Sequence, residues 1–300
     1  MSPRFDTISF LSDYGTGDEF VGVVKSVIRS IAPHVTVVDI THDIRPYDTK
    51  GASLTLARSV QYLCPGVVLG IVDPGVGTDR RAVAIEVGDG QSFLVGPDNG
   101  MLASAVGMVG GATGAVELTN TDYHLPAPGP TFAGRDIFAP AAAHLCAGVP
   151  LDALGTRVDP HELVPGIVPL PRDEAGTIIG EILWVDRYGN CQINVDPEAV
   201  EGWGTRVQLR WTRPHEGVRT AVRAATYGEL QPSQVGLVVD SYGLLAISVA
   251  RGSAAETLGL EAGDEITLVP LDDRDADSAG DGEAGRGHTS PVTLQPRRPS

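Results

Sequence analysis

A change of pattern near residue 163 constrains this chain more than any other feature. Before it, apolar strand-like runs alternate with helix-like segments. Thr7 to Ser12, Val35 to Ile40, Val67 to Val72, Ala82 to Val87 and Phe93 to Gly96 read as strands. Between them, Asp18 to Ile31 places Phe20, Val23, Val24, Val27, Ile28 and Ile31 at helical spacing. Gly51 to Leu63, Asn99 to Val109 and Asp136 to Ala147 also read as helices. Val67 to Val72 is continuously apolar, as a strand covered on both faces requires. Such alternation predicts an α/β N-terminal domain with a mostly parallel sheet over residues 1–165. Leu163 to Pro171, with Pro165, Pro169 and Pro171, reads as a linker. Beyond it come only short β runs: Thr177 to Val185, Cys191 to Val195, Arg206 to Trp211, Ala221 to Ala225, Val235 to Val239, Leu245 to Val249 and Glu265 to Val269. They predict an all-β barrel C-terminal domain over residues 166–270. Residues 271–300 are poor in large apolar groups and read as a disordered acidic tail.

Charge narrows the function. The net charge is −16, from 22 basic and 38 acidic residues, which argues against nucleic acid or anionic lipid as a broad-surface partner. No apolar run approaches the roughly 18 residues of a membrane span. The first residues carry no secretory signature, so a cytoplasmic protein is expected. Three scattered cysteines, Cys64, Cys146 and Cys191, fit reduced, buried thiols. There is no CxxC pair, no histidine spacing suited to zinc and no GxSxG elbow, so neither a metal site nor acyl transfer is expected.

In an open α/β sheet, ligands bind at the carboxyl ends of strands. Four segments put polar groups at such ends or on turns. In SDYGTGDEF, Asp13 directly follows a strand and is either an acceptor for a ligand's hydroxyl pair or a turn cap. In VDPGVGTDRR, Asp73 ends the most apolar strand and Arg80 and Arg81 follow a glycine-rich loop. Arg80 stands where a dinucleotide fingerprint needs its third glycine. A carboxylate and guanidinium there orient a water or polar ligand, or form a structural pair. In PTFAGRDIFAP, Arg135 and Asp136 are charged groups in an apolar frame at the start of a helix, with Asp136 read as its cap and Arg135 as the partner of Asp136. In VDRYGNCQIN, Asp186, Tyr188 and Asn190 lie on a turn between strands; Asn190 offers both donor and acceptor to a base edge, and Tyr188 a flat face. His42, in THDI, reads as a structural histidine.

Taken in order, SDYGTGDEF, THDIRPYD, VDPGVGTDRR, PDNG, TFAGRDIFAP, DRYGN and DSYGLLAIS resemble the S-adenosyl-L-methionine (SAM) hydroxide adenosyltransferases, or SAM hydrolases, relatives of the fluorinases and chlorinases. The resemblance covers about residues 5 to 270. It implies attack of water or hydroxide on C5′ of SAM, giving adenosine and L-methionine, without metal or organic cofactor. It also implies a homotrimer whose substrate lies between one subunit's N-terminal domain and its neighbour's C-terminal domain. By this similarity Asp13 binds the ribose hydroxyls and Tyr47 packs on the sugar. Asp73 and Arg80 position the water. Asp186 and Ser241 hold the methionine moiety. Asn190 reads adenine, Tyr188 and Tyr227 pack against it, and Arg251 offers a backbone amide to the base.

One departure stands out. Ala133, in TFAGRD, occupies the place of the family's histidine, which completes an Asp–Arg–His set around the water. The replacement is either introduced or natural, and the intact motif around it favours an introduced change. It implies retained binding with impaired hydrolysis, because a positioned acid–base group contributes about 10²- to 10⁴-fold. Two alternatives remain: a SAM-dependent halogenase, and a non-catalytic SAM- or adenosine-binding protein. Against halogenation stand the negative Asp73, Gly134 in place of the fluorinase serine, and the short segment from Glu86 to Phe93.

Overall fold

The computed structural model describes residues 3–213 and 215–271 and divides the chain into two compact units, between Leu170 and Pro171. The expected tail, apart from Leu271, lies outside the described residues.

The first unit is a layered α/β fold. Its strands are β1 (Thr7–Ser12), β2 (Thr36–Thr41), β3 (Val67–Ile71), β4 (Ala82–Val87), β5 (Ser92–Pro97), β6 (Ala112–Glu117) and β7 (Thr156–Arg157). They form one sheet in the order β2-β1-β3-β5-β4-β6-β7. The β2-β1-β3-β5 side is parallel, whereas β4 pairs antiparallel with both β5 and β6, and β6 with β7. Strand pleating sends alternate side chains to opposite faces. Ile8, Phe10, Leu69 and Ile71 therefore join one core, and Leu11, Val68 and Val72 the other.

Helices α1 (Phe20–Ile31) and α4 (Ala139–Cys146) pack together and cover the first face. Helices α2 (Thr49–Ser59) and α3 (Ala103–Met108) cover the second. Within α1, Val21, Val24 and Ile28 form the buried stripe. The helix starts at Phe20, two residues later than the acidic signal suggests, because neither Asp18 nor Glu19 supplies a side-chain cap. Asp48 does cap α2, accepting from Gly51 N–H at 2.8 Å. Chain order and sheet order together create a switch point. From β1 the chain passes through α1 on one face to β2, then through α2 on the other face to β3, on β1's far side. The carboxyl ends of β1 and β3 are neighbours there, with Ser12 paired to Ile71.

The second unit contains β8 (Arg172–Glu174), β9 (Thr177–Val185), β10 (Cys191–Ile193), β11 (Arg206–Trp211), β12 (Gly217–Arg223), β13 (Val235–Val239), β14 (Leu245–Val249), helix α5 (Ala254–Leu258) and β15 (Glu265–Pro270). The pairing β10-β14-β13-β12-β11-β15-β9 returns from β9 to β10 and closes a seven-stranded barrel. β8 extends β9 as a hairpin. Ile182, Ile193, Val207, Leu209, Leu237, Ile247, Ile266 and Leu268 fill the interior. Closure removes the open edges that would otherwise invite strand addition.

Candidate active site

Asp13 and Asp73 emerge from adjacent strand ends. Asp13 follows β1, and its N–H donates to the carbonyl of Ile71 in β3 at 3.3 Å. Its carboxylate accepts from Tyr47 N–H at 3.0 Å. Burial raises the Asp13 pKa above its ordinary 3.8; the N–H groups of Tyr47 and Asp13 itself oppose this, and the charge of Asp73 adds to it. Tyr47 is 72% exposed and holds a left-handed backbone, φ 69°, so its main chain turns toward Asp13 while its ring stays open to solvent.

Asp73 and Arg80 form a two-point ion pair. Arg80 Nε donates to Asp73 Oδ1 at 2.7 Å, and Arg80 Nη2 donates to Oδ2. The side chains are 8% and 14% exposed, so the pair is held largely away from water. The intervening loop folds back through Val76 N–H to Asp73 O and Thr78 N–H to Gly75 O. At Gly75 a Cβ would come 3.0 Å from Arg80 Cγ, so the glycine admits the returning arginine. Arg80 also lies over the Phe138 ring at 5.2 Å. Arg81 turns elsewhere: its Nε donates to Asp98 Oδ2 at 2.8 Å.

The TFAGRD segment closes the same end. Gly134–Phe138 is one turn of π-helix leading into α4, a distortion frequent at functional sites. Ala133 starts it and is buried in the first core cluster. Asp136 is buried and paired with Arg135, whose Nε and Nη2 donate at 2.6 and 3.0 Å. Its side chain therefore answers to its neighbour rather than capping the helix.

Sequence reasoning passed over Tyr14. Its ring packs on Phe20 (5.4 Å between centroids) and edge-on to Phe132 (5.7 Å). Burial, then the charges of Asp13 and Asp73, push its hydroxyl pKa upward. Beneath it a polar series runs from buried Ser12 and His42 out to exposed Asp39. Tyr14 N–H donates to Ser12 Oγ at 3.3 Å, Ser12 Oγ lies 2.8 Å from His42 Nδ1, and His42 Nε2 lies 3.1 Å from Asp39 Oδ1. Ser12 Oγ donates to Nδ1 when that nitrogen is the unprotonated one, and Nε2 faces Asp39 without an aligned hydrogen bond. Lys25 Nζ on α1 donates to Asp39 at 2.6 Å and ends the series. His42 is thus structural, and it anchors the turn that carries Asp13.

The barrel holds a second cluster. Asp186 organises the turn between β9 and β10: its Oδ1 accepts from the N–H groups of Tyr188 and Asn190, both at 2.8 Å, and its Oδ2 from Asn190 Nδ2 at 2.7 Å. Tyr188, Asn190, Tyr227 and Arg251 line one groove of about 750 Å³, with Leu230 and Val249 as apolar wall. Tyr188 is 78% exposed, and burial raises the Tyr227 pKa with help from the charges of Asp186 and Asp240. Arg251 takes φ 59° on its turn. Ser241 is exposed on a different turn, between β13 and β14, and is absent from the groove lining. Among the described residues, no cluster of three His, Cys, Asp or Glu is placed to hold a metal.

Comparison with known proteins finds one family for both units. Residues 8–155 match the SAM hydroxide adenosyltransferase N-terminal domain, and residues 180–267 the C-terminal domain. The chain is 43% identical over 262 residues to an (R)-S-adenosyl-L-methionine hydrolase of Salinispora tropica, covering 87% of this chain and 97% of that protein. It is 29% identical over 291 residues to a fluorinase of an Actinoplanes species, with 87% and 97% coverage. An uncharacterized conserved protein from Thermotoga maritima has the same fold, with a TM-score of 0.79, 33% identity and coverage of 87% and 99%. Both domain models match in order across most of the chain: it belongs to the SAM hydroxide adenosyltransferase family.

Proposed function

We propose that this protein hydrolyses SAM to adenosine and L-methionine by attack of water on C5′. The observation that carries the reading is the buried Asp73–Arg80 pair beside Asp13 at the β1/β3 switch point. In the proposed step an O–C5′ bond forms and the C5′–S bond breaks. The C5′–S electron pair neutralises the sulfonium, so methionine leaves as a thioether and needs no general acid. The water's surplus proton passes to Asp73 and on to solvent. Arg80 occupies one side of both Asp73 oxygens, which aims the remaining lone pairs and fixes the carboxylate. Holding water in line and shielding it from bulk solvent supplies the catalysis.

Asp13 takes the ribose hydroxyls and Tyr47 lies against the sugar. In the barrel groove Asn190 reads adenine, Tyr188 and Tyr227 cover its faces, and Arg251 offers its amide. Asp186 and Ser241 are assigned to the methionine moiety, although both Asp186 oxygens already serve their own turn. No cofactor enters this reading. The protein acts as a cytoplasmic homotrimer.

Ala133 brings only a methyl group where an imidazole would extend, so binding persists and turnover is slow. The test is chromatography of SAM incubated with the protein and with Ala133→His, with and without chloride. Adenosine and methionine are expected from both, about 10²- to 10⁴-fold faster from the variant. A chlorinated nucleoside would replace this reading with a halogenase. SAM bound but unconverted by both proteins would replace it with a binding protein.

A further inference from the structure

Gly134 sits in a helical turn and is not among the glycines with positive φ. Its backbone therefore does not demand glycine, and glycine is a poor residue inside a helix. What demands it is Tyr14. A Cβ on Gly134 would overlap Tyr14 Oη, and would stand 3.2 Å from Tyr14 Cζ and 3.3 Å from Ile71 Cδ1. The phenol thus reaches the backbone of the TFAGRD turn, one residue from Ala133. It makes no hydrogen bond to a described residue. Half-buried tyrosine hydroxyls ordinarily find a partner. Here the ring is fixed by Phe20 and Phe132, and the backbone by Ser12 Oγ, so the free hydroxyl is aimed. The charges of Asp13, Asp73, Asp136 and Arg80 act on it.

We propose that the Tyr14 hydroxyl is a further catalytic residue, holding the attacking water together with Asp73. The assignment rests on the hydrolase reading. A water that attacks carbon must aim a lone pair at C5′ while each of its O–H groups donates a hydrogen bond, one proton leaving and the other staying on the new 5′-hydroxyl. The Asp73 carboxylate accepts the first of these bonds and the Tyr14 oxygen the second. A halide has no proton to donate and meets the negative Asp73 carboxylate, which disfavours it at the same spot. Burial and the neighbouring carboxylates keep the phenol protonated, so it stays a neutral acceptor at physiological pH.

Three variants test this, each made in the chain as it stands and with Ala133→His: Tyr14→Phe, Gly134→Ser, and the two combined. Tyr14→Phe is expected to lower kcat for adenosine formation about 10-fold, the loss of one hydrogen bond, with adenosine Kd within about twofold of the parent. Gly134→Ser displaces the phenol and loses a similar factor. The double variant removes the overlap with Oη and brings back a hydroxyl from the opposite side, recovering most of the rate. A Tyr14→Phe protein with unchanged kcat overturns the assignment. So does a parallel loss of kcat and adenosine affinity, or a double variant no faster than either single one. Adenosine from none of these proteins, nor from their parents, overturns the hydrolase reading itself and the Tyr14 role with it.

Discussion

Asp13 carries a cost in stability that its proposed role at the ribose would offset. Burial raises its pKa, so its ionised form opposes folding at neutral pH and its protonated form does not. The sign follows directly. Stability linked to Asp13 is fully present below 3.8 and is lost as pH rises through the raised value. The ionised form is also the better acceptor for ribose hydroxyls. Asp13→Asn is therefore expected to unfold at higher urea than the parent at pH 7, with the difference vanishing near pH 3. Adenosine affinity of the parent falls on acidification with a midpoint above 3.8, and Asp13→Asn binds weakly at every pH. Titration calorimetry and urea denaturation across pH 3 to 7 check both. A variant that binds adenosine as well as the parent at pH 7 excludes Asp13 from the ribose site.

At the scale of elements, the barrel uses one turn twice. Asp186-Arg187-Tyr188-Gly189 and Asp240-Ser241-Tyr242-Gly243 each begin with an aspartate whose Oδ1 accepts from residues two and four further on. Each ends with a glycine at φ 80° or 84°. The two glycines differ in surroundings. A Cβ on Gly189 would collide with Ser253, whereas one on Gly243 would meet nothing within 4 Å. Gly243→Ala is expected to cost about 1–2 kcal/mol from the left-handed backbone alone. Gly189→Ala should cost at least about 1 kcal/mol more and disturb Asn190 as well. Urea denaturation and adenosine binding compare them; equal costs would contradict the account.

The DRYG turn was readable in the sequence, and so were the strands with dense apolar runs; DSYG stood there only as a motif of the resemblance. Other elements were not readable. β6 (Ala112–Glu117) is built from Ala, Thr, Gly, Val and Glu with only Ala115 and Val116 buried, so its apolar signal is faint. β8 is exposed throughout and β7 has two residues. The helix read from Asn99 begins at Ala103, because the Asn99 side chain donates to Val72 O and accepts from Met101 N–H, holding a turn instead. β12 starts four residues before the apolar run that marks it, since its first half pairs with β11 through exposed residues. Within the site, Asp13, Asp73 and Arg80 follow from strand ends and loop composition. The Tyr14–Gly134 contact does not, because it joins residues 120 positions apart through a shape that no local pattern records.

The whole molecule keeps its chemistry in two separately built units. Each has its own hydrophobic core, one layered about a sheet and one enclosed by a barrel. Cys146 and Cys191 are free and buried, and burial raises both thiols to about 12, so they stay protonated. Cys64 is exposed, contrary to the expectation of three buried thiols, because it sits in the turn leading from α2 into β3. Among the described residues, no helix is long and apolar enough to cross a membrane. In the proposed reaction oxygen from water replaces sulfur at C5′. The direct measurement is mass spectrometry of the nucleoside formed from SAM in ¹⁸O-labelled water. The account predicts adenosine carrying one ¹⁸O at its 5′-hydroxyl, formed with an equal amount of L-methionine. Adenosine without label, or a halogenated nucleoside in its place, would contradict it.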